Sequence, residues 1–239
     1  MTNSGESERQ PRTVIWLNNT ATNIAMASTF ERASVAINAK TELEKYSSDE
    51  ILDVVHTSLN ALTRSPNQPL RERLLVLLGA SIPFIKISNP SKLTAHYVTS
   101  LTTLPKETAP DNILAVVRAG IQLAPGFPKR EDSYRPIARA LDDLADGADS
   151  EILQATLATK KKLKADIVEY CRNQSELMRI PGMIGVLEQR LDNPDLTLAE
   201  IRRKKNLSEV RLRDILIALE EYGIIGREIR RSRRKSGIQ

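Results

Sequence analysis

Leu196-Thr197-Leu198-Ala199-Glu200-Ile201, the cations Arg202-Arg203-Lys204-Lys205 and the turn Asn206-Leu207-Ser208 decide how this chain reads. Thr197 is a natural N-cap and opens a short helix. Asn206 tolerates the left-handed backbone and ends that helix. Leu207 is expected to be buried in the turn. Ser208 then caps a further helix, Glu209 to Tyr222. In it Leu212, Ile215, Leu216 and Leu219 fall at helical spacing and form one apolar stripe. The opposite face carries Glu209, Arg211, Arg213, Asp214, Glu220 and Glu221. Gly223 stops the helix, Ile224-Ile225 reads as a short strand, and Gly226 as a turn.

Working toward the N-terminus, Met183, Ile184, Val186, Leu187 and Leu191 predict a helix that ends before Asp192-Asn193-Pro194. Ile180-Pro181-Gly182 is the clearest linker signal in the chain. The three expected helices, the stripe Leu212/Leu216/Leu219 and the ending Glu220-Glu221-Tyr222-Gly223-Ile224-Ile225 together resemble a winged helix-turn-helix domain. The resemblance covers about 50 of the 239 residues and specifies a fold module rather than one family. Asn206 stands where glycine is usual, and few residues follow Gly226 to build a wing.

In DNA-binding domains of this kind the last helix enters the major groove and its first residues face base edges. The resemblance therefore implies nucleic-acid contacts at Ser208, Arg211 and Arg213, the two arginines acting as forks to guanine or phosphate. Arg202, Arg203, Lys204 and Lys205 would hold phosphates and fix the register. Arg227, Arg230, Arg231, Arg233, Arg234 and Lys235 would extend the basic surface. Glu209 and Asp214 oppose that by repelling phosphate. Charge points the same way. From Glu200 onward there are 12 Lys/Arg against 6 Asp/Glu, whereas the first 199 residues hold 23 against 24. A near-neutral body with a basic end suggests a polyanion partner. Tyr222 is the one aromatic residue from Glu200 on, which favours duplex or backbone contacts over base stacking.

The rest of the chain reads as helices with punctuation. Aromatics are 4% of the residues, so the core is expected to be aliphatic. Residues 1–28 read as a flexible arm carrying the apolar run Thr13-Val14-Ile15-Trp16-Leu17. Helices are expected over 30–46, from a cap at Ser47 or Ser48 through Leu62, over 70–82, 91–104, 111–123, 133–144 and 150–171. Leu70 to Ile82 is apolar nearly all round and is expected to be a buried central helix.

Several chemistries lack their residues. No apolar stretch is long enough for a membrane helix, and the first ten residues have no signal-peptide core. A single cysteine, Cys171, leaves no internal disulfide and suits a reducing compartment, cytoplasmic or nuclear. His56 and His96 have no second ligand at i+3 or i+4, and phosphate-loop glycine patterns are absent. Asp142-Asp143-Leu144-Ala145-Asp146-Gly147 fails as a calcium loop at Leu144 and Leu153. Lys160, Lys161, Lys162 and Lys164 read as a solvated helix face with a lesser role as an auxiliary phosphate site.

The expectation is a mainly α protein: a flexible arm (1–28), a helical bundle or helical-pair array (29–174), a small winged helix (181–229) and a basic tail (230–239). It would bind nucleic acid, duplex DNA ahead of RNA, in genome regulation, replication, segregation or packaging. The helical domain would self-associate or bind a protein partner. No enzyme activity, cofactor, metal or membrane contact is expected. Two alternatives stay open: a scaffold subunit using the winged helix for protein contact, and an RNA-packaging, nucleocapsid-like protein.

Overall fold

A computed structural model describes residues 41, 43–85, 90–193 and 195–226. Among the described residues there are ten α-helices, two 3-10 turns and no strand. The mainly α expectation holds. The N-terminal arm with Trp16, most of the helix expected over 30–46 and the basic tail lie outside the described residues. The chain divides into two compact units, residues 1–126 and 127–239.

The first unit contains α1 (Ser48–Leu62), α2 (Gln68–Ser81), α3 (Pro90–Thr102) and α4 (Pro110–Leu123). Ser47 starts α1 with a capping box: its hydroxyl accepts from the Glu50 amide, and the Glu50 carboxylate accepts from the Ser47 amide at 2.8 Å. Pro69, Pro90 and Pro110 occupy first turns, where a missing N–H leaves nothing unpaired. α2 packs against both α1 and α4, and α3 packs against the same two helices. Leu43, Ile51, Val54 and Leu77 form one apolar cluster, with Tyr46, Phe84 and Ile85 laid against it. The fully buried Tyr97 donates its hydroxyl to the Val117 carbonyl at 2.9 Å, and burial pushes that phenol's pKa up.

One expectation about α2 is corrected. Its burial is one-sided: Leu74, Leu77, Leu78 and Ser81 face inward, while Glu72 is exposed and Val76 is 56% exposed. Two neighbouring helices cover one side of a cylinder, so an apolar sequence all round does not bury all round.

The second unit contains α5 (Glu131–Ala145), α6 (Ser150–Arg172), α7 (Ser175–Met178), α8 (Met183–Asp192), α9 (Leu198–Lys204) and α10 (Glu209–Glu221). The 23-residue α6 is its spine, packed against α5, α7 and α8. α8 contacts α5 and α6 as well as α9 and α10. The boundary between units thus falls at Gly126/Phe127, not at the expected linker Ile180-Pro181-Gly182. The reason is a buried fork. Arg190 on α8 donates from Nε and Nη2 to both carboxylate oxygens of Glu131 on α5, at 3.0 and 2.8 Å. Both side chains are at most 4% exposed. Arg135 adds a contact of 2.7 Å to the same carboxylate.

Candidate nucleic-acid interface

α8 packs against both α9 and α10. Thr197 caps α9 with a capping box, its hydroxyl accepting from the Glu200 amide. The Thr197 hydroxyl and backbone N–H, both donating to Glu200, hold that carboxyl below the usual carboxylate range. The turn after α9 is a Schellman motif. Leu207 donates its N–H to the Arg202 carbonyl at 3.0 Å, Asn206 donates to Arg203 at 3.2 Å, and Asn206 has φ of 50°. Ser208 caps α10 by accepting from the Arg211 amide. Leu212, Ile215, Leu216 and Leu219 are all buried, as their spacing requires. Leu207 is only half-buried, less than expected. Gly182 has φ of 86°, and a Cβ there would lie within 3.7 Å of Leu207 and Ile215 side chains.

α10 ends in a second Schellman motif. Gly223 has φ of 66°, its N–H reaches the Glu220 carbonyl at 3.0 Å, and the Ile224 N–H reaches Leu219 at 2.9 Å. Ile224 and Ile225 are buried but do not form the expected strand. The Ile224 carbonyl instead accepts from the Glu131 N–H at 2.8 Å. It therefore satisfies one of the four donors that the start of α5 leaves without an intrahelical partner. Any wing after Gly226 lies outside the described residues.

The expected contact residues divide into groups. Arg202, Arg203, Lys204, Lys205, Ser208 and Arg213 are exposed. Arg202 sits 3.5 Å from Glu209, an exposed pair worth little in stability. The Lys205 side chain lies along α8, its Cδ, Cε and Nζ within 3.7 Å of where a Cβ on Gly185 would be. Arg211 departs from expectation. It is half-buried, and its Nε donates to the Pro181 carbonyl at 3.3 Å, drawing the side chain toward the loop before α8. Val210, one residue before it, is 70% exposed. Arg227, Arg230, Arg231, Arg233, Arg234 and Lys235 lie outside the described residues.

Sequence reasoning missed two arrangements. His56 and His96, read separately, come together in the first unit, with ring centroids 4.8 Å apart. Burial, then the neighbouring His56, lowers the His96 pKa from its ordinary value, against an opposing pull from Asp53. In the second unit, Arg135 and Arg139 on α5 share a groove with Lys160, Lys161 and Lys164 on α6. The i,i+4 spacing of basic residues on two successive helices was the available signal. Asp142, from the failed calcium loop, pairs with Lys160 at 2.5 Å. Among the described residues no group of three or more potential metal ligands gathers, and no helix is long and apolar enough to cross a membrane. The Cys171 thiol is buried and its pKa is raised by that burial. Comparison of the chain with protein-family models, with curated proteins and with solved structures finds no match.

Proposed function

We propose that this chain binds nucleic acid, duplex DNA in the first instance, through α9, the turn and the start of α10, in genome regulation, replication, segregation or packaging. One observation carries the reading: four consecutive exposed cations, Arg202 to Lys205, run into a capped turn whose far side opens a helix with Ser208, Val210 and Arg213 exposed. Arg203, Lys204 and Arg213 would engage phosphates and guanine edges, and Val210 a thymine methyl. The hydrogen bond of Arg211 to Pro181 makes it a brace for α10 and a secondary contact at most. The function is binding rather than catalysis.

A second reading is favoured by a different observation. Val210, Leu198 and Met178 are apolar and exposed, which suits a protein partner on a scaffold subunit. The test is duplex binding by the full chain over a salt series. Binding that weakens steeply with salt, and weakens uniformly across sequences in Arg203→Ala/Lys204→Ala, supports the nucleic-acid reading. Absence of duplex binding at low salt favours the protein scaffold.

A further inference from the structure

The second unit carries a groove of about 690 Å³ between α5, α6 and the end of α8. Its volume is that of a small-ligand site, large enough for one nucleotide unit. Five basic and three acidic side chains line it. Lys160 and Lys164 are held by Asp142 and Asp192, at 2.5 and 2.6 Å. Arg139 and Lys161 stand exposed on the facing helices without such a carboxylate among the described residues. Tyr134 lies in the lining, its phenol pushed up to about 12 by burial, then by Asp192 and Asp142. It is therefore a neutral O–H donor at physiological pH. Leu157, 54% exposed, adds an apolar wall, and Leu153 is exposed one turn earlier on α6.

We propose that this groove binds the sugar-phosphate of a nucleic-acid strand. Arg139 and Lys161 take the phosphates, and Leu157 supports the sugar and base. Lys160 and Lys164, each with further N–H donors beyond those given to an aspartate, complete the ring of donors. The pairs with Asp142 and Asp192 hold these two lysines in place and leave a net positive lining. An arginine and a lysine on separate helices match successive phosphates better than a single charge does. A compact apolar wall beside cations suits a nucleotide rather than a bare inorganic anion. The site is separate from the α9–α10 surface and stands without it.

The test uses the full chain, a labelled oligouridylate, a labelled duplex DNA and adenosine monophosphate, over a sodium chloride series. Arg139→Ala/Lys161→Ala is expected to lower the slope of log affinity against log salt for the oligouridylate by about 1.4, two phosphates at ~0.7 each. Arg139→Glu/Lys161→Glu is expected to weaken strand binding at least about tenfold by adding repulsion. Both residues are exposed, so circular dichroism should match the parent. Arg202→Ala/Arg203→Ala should leave these differences intact while weakening the duplex, so the two sites fail separately. Displacement of the oligouridylate by the monophosphate, or loss of monophosphate binding alone in the charge reversal, retains the site and assigns it to a free nucleotide. Unchanged affinity and slope in a folded Arg139→Glu/Lys161→Glu, or no binding of either probe by the parent, overturns the proposal.

Discussion

Two residues, Glu131 and Arg190, hold the second unit together with a two-pronged contact that is almost fully buried. The value of such a pair against an apolar substitute is small, but removing one partner leaves a charge stranded in low dielectric. Glu131→Gln is therefore expected to destabilise the unit by about 3–5 kcal/mol by stranding the buried Arg190, and Arg190→Met to cost less, because Arg135 still pairs with the Glu131 carboxylate. Urea unfolding followed by far-UV circular dichroism measures this, and a change within error would mean the fork is solvated. His96 makes a pH prediction. Its folded-state pKa lies below the ordinary value because burial and then His56 disfavour the charged form, while Lys92 adds to this and Asp53 opposes it. The unfolded chain thus takes up the proton first. The stability from neutral His96 is complete above about pH 6.5 and is lost as pH falls through the folded pKa. The melting temperature should drop between neutral and mildly acidic pH, and His96→Gln should flatten that drop.

At the scale of single elements, local sequence did most of the work. Thr197, Ser208 and Asn206 are where a cap, a cap and a left-handed stop are needed, and each makes that contact. Ser208→Ala should cost about 1 kcal/mol through loss of the bond to the Arg211 amide. Gly223→Ala meets nothing within 4 Å, so its penalty is purely the left-handed backbone, about 1–2 kcal/mol. Leu216→Ala removes a core side chain of α10, 2% exposed, and should cost about 2–5 kcal/mol. Thermal melts of the three variants should rank Leu216→Ala last. Equal losses would mean the stripe is not packed as described.

At the scale of the whole molecule, the division at residue 126 has a consequence for fragments. A piece beginning at Pro181 loses Glu131, and with it the partner of Arg190 and the donor to the Ile224 carbonyl. A piece spanning 127–239 keeps all three. The longer fragment should melt cooperatively, and the shorter should show reduced helicity and no sharp transition. A sharp transition in the fragment from Pro181 would restore the linker as a domain boundary.

The helices of the second unit, apart from the four-residue α7, were legible because capping and the 3.6-residue period are written in neighbouring residues, Thr197 at the start of α9, or Leu212 with Leu216 and Leu219. Arg202 to Lys205 were legible as cations, and all four stand exposed because charged side chains stay in water unless paired. What chain order does not contain is which distant residues meet. Glu131 and Arg190 are 59 positions apart, Arg139 and Lys161 flank one groove from separate helices, and the His56 ring lies tilted against that of His96. Ile225 has the β-branched composition of a strand, yet it follows a Schellman turn while the adjacent Ile224 caps α5. Arg211 has the spacing of a base reader, yet a backbone carbonyl 30 positions away takes its Nε–H. Local propensity and periodicity depend on residues within about one or two helical turns. Buried polar groups must find partners wherever the packed chain offers them, and only the tertiary structure decides which those are.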